Sequence, residues 1–138
     1  MKKSIYLTLA VLIFLSCEKE ETISKQIPDG TYIGTFQREI VWSKSDPASV
    51  TLTFNKNNWS GSSDTEKYPA LCHGTYSINS DTIFFENECV WTAEFDQTLI
   101  LSGKYILTKN GKTIEFSKDN RSATTDTHID RYILEKQE

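Results

Sequence analysis

Residues 29–138 predict an all-β domain, an eight-stranded antiparallel up-and-down barrel, with a two-sheet β-sandwich as the alternative. Three observations carry the prediction. Apolar and polar residues alternate with period two along many short runs, the pattern of strands with one face in a core and one in water. Turn signals separate these runs at short intervals. From residue 30 onward no stretch sustains the 3.6-residue period of an amphipathic helix.

The runs place strands at 30–41, 49–55, 58–63, 72–79, 82–88, 98–108, 112–118 and 130–136. In "SVTLTFN", Val50, Leu52 and Phe54 alternate with Thr51, Thr53 and Asn55. In "TIEFSK", Ile114 and Phe116 alternate with Thr113, Glu115 and Ser117. Asn110-Gly111 inside "KNGK" is a strong hairpin signal, since both turn positions favour positive φ. Lys56-Asn57-Asn58 reads as a second turn. Short links favour a meander, and eight strands suffice to close a barrel and leave no free edge.

The segment "CHGTYSINSDTIFFENEC" fixes one register. With Ser80-Asp81 as a two-residue loop, Asn79 faces Thr82, Ile78 faces Ile83, Tyr76 faces Phe85 and Cys72 faces Cys89. The last pair is a non-hydrogen-bonded one, with Cα atoms about 4.5 Å apart, near enough for a disulfide. Two free buried thiols, or a bulge that shifts the pairing, are the alternatives. Alternation puts Tyr32, Phe36, Phe54, Tyr76, Phe85, Tyr105 and Phe116 inward.

Ahead of the domain, Lys2 and Lys3 precede the uncharged block "SIYLTLAVLIFLS", residues 4–16. Its 13 residues are too few to span a bilayer, which takes roughly 20. Positive end, short apolar core and a small residue at Ser16 fit a secretory signal peptide over residues 1–16. Residues 17–28 then read as a solvated tether. Export suits a Cys72–Cys89 disulfide. Loss of Lys2 and Lys3 takes the 15 bases to 13 against 19 acids, a net charge of −6. Such a chain is repelled by phosphate backbones, which argues against a nucleic-acid partner.

The run Phe14-Leu15-Ser16-Cys17 resembles a bacterial lipoprotein signal, in which the cysteine thiol is acylated and becomes the new N-terminus. The "EKEE" that follows resembles an acidic tag directing lipoproteins to the outer face of the outer membrane. The resemblance implies lipid attachment at Cys17, a membrane anchor without a transmembrane helix, and outer-membrane location. Several acyl chains suffice for stable anchoring. The domain in turn resembles the lipocalin-like (calycin) domains of small bacterial lipoproteins. "DGTYIGTF" stands where lipocalins carry Gly-x-Trp, "WTAEFDQTLILSG" is similar to a segment of such lipoproteins, and Arg131 precedes the last strand. That resemblance implies a small hydrophobic ligand inside the barrel, and a basic residue at Arg131 packed on the first-strand aromatic Tyr32.

Candidate pocket or rim residues are Tyr32, Phe36, Trp59, Tyr76, Phe85, Trp91 and Tyr105. Trp59 and Trp91 begin strands and Trp42 follows one, which places all three at the rim, available to a ligand or a sugar ring. The sequence predicts no cofactor, no metal and no enzyme. No His-x-x-x-His, Cys-x-x-Cys or calcium loop is present. His73, next to Cys72, points to the opposite face and lies at the surface. His128, with Asp126 and Asp130, is a weak cation candidate. Asp64/Glu66 and Glu86/Glu88 read as surface acids, and Asp96 as a turn cap. The competing function is a non-enzymatic surface module that binds glycans or a partner protein.

Overall fold

The computed structural model describes residues 26–40, 42–124 and 128–138. The signal block, Cys17 and Asp126 lie outside the described residues. The strands are β1 (Gly30–Ile40), β2 (Ser43–Lys44), β3 (Ala48–Asn55), β4 (Asn58–Ser63), β5 (His73–Asn79), β6 (Thr82–Asn87), β7 (Gly103–Asn110), β8 (Thr113–Asp119) and β9 (His128–Lys136). Each pairs antiparallel with the next around the sheet, and β1 pairs with β9 from Tyr32↔Lys136 to Ile40↔His128. That last ladder closes eight strands into an up-and-down barrel and excludes the sandwich. The ninth, β2, is a two-residue extension that turns back on Glu39 and Ile40.

Alternation built this wall as the sequence required. Val50, Leu52 and Phe54 are buried in β3, and Ile114 and Phe116 in β8. All seven aromatic residues expected to face inward are buried. The β5–β6 register is also as expected, with Ile78↔Ile83, Tyr76↔Phe85 and Asn79↔Thr82. Cys72 and Cys89 are joined in a disulfide. Their Cα atoms are 6.4 Å apart, wider than a ladder pair, because the paired register ends at Gly74↔Asn87, with one further backbone bond from Glu88 N–H to His73 O, and both cysteines lie outside the strands.

Four boundaries moved, each for a local reason. The tight loop between β7 and β8 is Gly111-Lys112, because Asn110 pairs with Thr113; only Gly111 takes positive φ, at 60°. The β3–β4 loop is Lys56-Asn57, closed by Asn55↔Asn58, and the Lys56 N–H donates to Asp29 Oδ1 at 2.7 Å. The run 98–108 is not one strand. Asp96 caps a short 3₁₀ turn, Gln97–Leu99, and β7 begins only at Gly103, where φ is 84°. The domain begins before residue 29: Ile27 is fully buried in the barrel core, so residues 26–28 belong to it.

The interior is a continuous run of rings. Tyr32 contacts Phe54, Phe54 contacts Tyr76, Tyr76 contacts Phe85, and Phe85 contacts Phe116, with centroids 5.4, 5.2, 6.3 and 5.1 Å apart. Phe116 stacks on Tyr132 at 4.6 Å; Tyr132 meets Phe36 at 4.8 Å, and Phe36 meets Tyr68 at 5.1 Å. Aromatic pairs of this kind add about 0.5–1.5 kcal/mol each beyond area burial. An eight-stranded barrel is just wide enough to be filled by its own side chains.

Candidate functional site

Up-and-down topology separates two ends. The tight loops 56–57, 80–81 and 111–112 lie at one end together with both termini of the domain. The longer connections, whose described residues are 42–47, 64–72, 88–102 and 120–124, lie at the other. The tight end is stoppered by the segment before β1. Ile27 inserts among the rings and its N–H donates to the Tyr76 hydroxyl at 3.2 Å. The Tyr32 hydroxyl donates to Pro28 O at 2.8 Å. Gln26 bonds Asn57 Oδ1, and Lys109 Nζ bonds Gln26 O.

The loop end is covered too. Ala70 N–H donates to Leu99 O at 3.0 Å and Leu101 N–H to Ala70 O at 3.2 Å, joining two connections across the mouth. Ala70 and Leu101, which form this bridge, are both buried. Under it sits Arg38, which makes two bonds to Asp130 (Nε–Oδ1 2.7 Å, Nη2–Oδ2 2.8 Å) and further bonds to Asp96 Oδ2 and to Thr98 Oγ1 and O. Burial opposes the Arg38 charge, but the bonds to Asp130 and the charges of Asp130 and Asp96 outweigh it, so the guanidinium holds its proton more firmly than usual. Asp96 accepts from Thr98 Oγ1 and N as well as from Arg38, and its carboxyl is held below the usual range mainly by the Thr98 hydroxyl. Tyr68 bonds Ser45 Oγ and receives the Arg38 N–H. The expected capping role of Asp96 therefore extends to an ion-pair hub that the sequence reading did not anticipate.

Tyr32, Phe36, Tyr76, Phe85 and Tyr105 are brought together inside the barrel, in contact with one another through neighbouring rings. Trp59 is not at the rim. It is buried, because alternation in β4 turns it inward, and its Nε1 donates to Thr75 O and Glu86 O, each at 3.1 Å. Gly74 leaves the room: a Cβ there would collide with Glu86 O and press on the Trp59 indole nitrogen. Arg131 does not reach Tyr32 either. It faces outward and pairs with Glu115 at 2.8 Å, because inward positions in β9 fall on Asp130 and Tyr132.

Trp91 does sit on the loop end, half-exposed. Its Nε1 donates to Asn87 Oδ1 at 3.0 Å and its ring meets Phe95 edge-on at 5.7 Å. Lys67 Nζ lies 5.2 Å over the Phe95 ring. Trp91 lines a groove of about 310 Å³ with the polar Ser62, Ser63, Thr65, Glu66 and Lys67 and the apolar Pro69, Ala70 and Leu71. Trp42 is 89% exposed at the tip of the β1–β2 hairpin. It lines a separate groove of about 370 Å³ with Ile40, Lys44 and Arg121.

The acids read as surface groups have structural partners: Asp64 accepts from Ser49 N and Glu86 from Thr75 Oγ1. His128 Nε2 lies 3.5 Å from Asp130 Oδ2, but both Asp130 oxygens are already taken by Arg38. His73 is exposed as expected, yet a ring nitrogen lies within 4.8 Å of both cystine sulfurs instead of on the opposite face. Cys72 precedes β5, so strand alternation does not govern it. Among the described residues no helix is long and apolar enough to cross a membrane.

Described by its geometry, the chain is a closed antiparallel barrel, stoppered at one end and bridged at the other, with an aromatic groove on its loop end. Compared with family models, curated proteins and solved structures, it matches none of them.

Proposed function

We propose that this protein is a lipoprotein of the outer membrane, acylated at Cys17, and that its barrel is a non-enzymatic binding module that engages glycans through the groove beside Trp91. The carrying observation is that the interior is occupied by mutually contacting rings and covered at both ends, while Trp91 stays half-exposed over a groove that joins an apolar edge, Pro69 to Leu71, to hydroxyl and charged side chains. A flat indole offers its face to the CH surface of a sugar ring, and Ser62, Ser63, Thr65 and Glu66 offer bonds to hydroxyls. Aromatic walls with a few convergent polar groups are typical of small-ligand sites. The tether supports the reading: it joins the barrel at the tight end through Gln26 and Ile27, so an anchor at Cys17 holds that end toward the bilayer and turns the loop end outward.

A hydrophobic guest inside the barrel is the other expectation. It would require the Phe85, Phe116 and Tyr132 rings to part and either the Ile27 stopper or the Ala70–Leu101 bridge to open. Glycan-array screening of the mature chain distinguishes the readings. Retention of a defined glycan, lost in Trp91→Ala and kept in Trp42→Ala, is the expected result. Absence of any retained glycan, or retention unaffected by Trp91→Ala, overturns the assignment.

A further inference from the structure

One cluster on the barrel lies outside the residues assigned to glycan binding. Cys72, His73 and Cys89 each bring a metal-type donor atom within 4.8 Å of the other two. As the protein stands, the sulfurs are bonded to each other, and only a thiolate is a metal ligand. The backbone around them is held independently of that bond. Gly61 N–H donates to Cys72 O at 2.8 Å and Glu88 N–H to His73 O at 3.0 Å. Cys89 N–H donates to Asn87 Oδ1 at 3.0 Å. Opening the disulfide leaves both cysteines facing one another, with the His73 ring alongside. The His73 side chain is 58% exposed, and its Nδ1 lies 3.7 Å from a Glu88 carboxylate oxygen.

We propose that, on reduction, Cys72, Cys89 and His73 become a binding site for a zinc-like divalent cation, with Glu88 as the fourth donor. Two thiolates, an imidazole and a carboxylate form a tetrahedral donor set suited to Zn²⁺. With Zn–S bonds of about 2.3 Å the sulfurs sit roughly 3.7 Å apart, a separation that cysteine side-chain rotation supplies from Cα atoms 6.4 Å apart. The reductant is a dithiol. It gives two electrons to the Cys72–Cys89 bond, which breaks to two thiols as the dithiol becomes a disulfide. Metal binding then releases both thiol protons to solvent, and His73 coordinates as the neutral imidazole. A small-molecule disulfide reverses this: it takes two electrons from the two thiolates and is itself reduced to two thiols as the Cys72–Cys89 bond re-forms and the ion leaves. The metal thus joins residues 72 and 89 when the covalent link is open.

Cobalt(II) titration of the mature chain, reduced with dithiothreitol and desalted without oxygen, tests this. The expected result is one Co²⁺ bound with thiolate-to-cobalt charge-transfer absorption and tetrahedral d–d bands, both reversed by Zn²⁺. The oxidised protein and Cys72→Ser/Cys89→Ser show neither, and His73→Ala binds at least about tenfold more weakly. Binding by the reduced protein no tighter than by the double serine variant overturns the proposal, as does unchanged affinity in His73→Ala. Loss of the strand circular-dichroism signal on reduction overturns it too, since the site requires the backbone to stay in place.

Discussion

Arg38 and Asp130 are joined by bonds of 2.7 and 2.8 Å beneath the bridged mouth, with Asp130 only 2% exposed. Taking two such charges out of water is costly, and only the full set of bonds offsets it. Removing one partner leaves a buried charge with nothing to balance it. Arg38→Met is therefore expected to lower unfolding stability by about 3–5 kcal/mol, and Arg38→Met/Asp130→Leu by clearly less. Urea midpoints of the two variants measure this; a double variant as unstable as the single one contradicts it. The pair was half legible. Period-two counting from Tyr32 and Phe36 puts Arg38 inward, and counting back from Tyr132 does the same for Asp130. What sequence alone withheld was the register of the closing β1–β9 ladder, which sets Arg38 opposite Asp130.

Among the elements, the hairpins were the most legible, because side-chain alternation and loop length together fix a register. Tyr76↔Phe85 and the disulfide both follow from placing one two-residue loop at Ser80-Asp81. The segment 98–102 was misread for a physical reason: Leu99 and Leu101 alternate like strand residues, but Asp96 and Thr98 satisfy the backbone as a 3₁₀ turn instead. β2, two residues long, is too short to leave a pattern. The stopper before β1 was hidden by its polar neighbours, since Ile27 stands with only Ile23 as another large apolar residue in a hydrophilic stretch. Ile27 is 1% exposed inside the core cluster, so Ile27→Ala should cost about 2–5 kcal/mol. Gln26→Ala, at an exposed position, should cost far less. Thermal denaturation of both variants checks this, and equal small losses would mean that the segment does not seal the barrel.

For the whole molecule, closure by β1–β9 makes the buried rings one cooperative unit, and the titration of its tyrosines follows. Burial raises Tyr32, Tyr76, Tyr105 and Tyr132 above the ordinary phenol value. The folded protein therefore keeps these protons where the unfolded chain, with phenols near pH 10, releases them. Their contribution to stability is complete below about pH 10 and is lost as pH rises toward the folded values. Urea midpoints are expected to hold through the neutral range as far as these groups are concerned and to fall above about pH 10, with tyrosinate absorbance appearing together with unfolding. Tyrosinate formed well before unfolding contradicts the buried assignment. The groove at Trp91 was legible only as an aromatic residue near a strand end; the same signal misplaced Trp59, since nothing in the sequence says that Gly74 makes room for an indole.

That the barrel is filled by its own side chains, and so on the proposed reading binds from outside, is tested most directly by titrating a fluorescent fatty-acid probe into residues 17–138 carrying Cys17→Ser, which excludes acylation at that position. Fluorescence that rises without saturation, unaffected by unlabelled fatty acid, is the predicted result. Saturation at one probe per chain, reversed by unlabelled fatty acid, would contradict it.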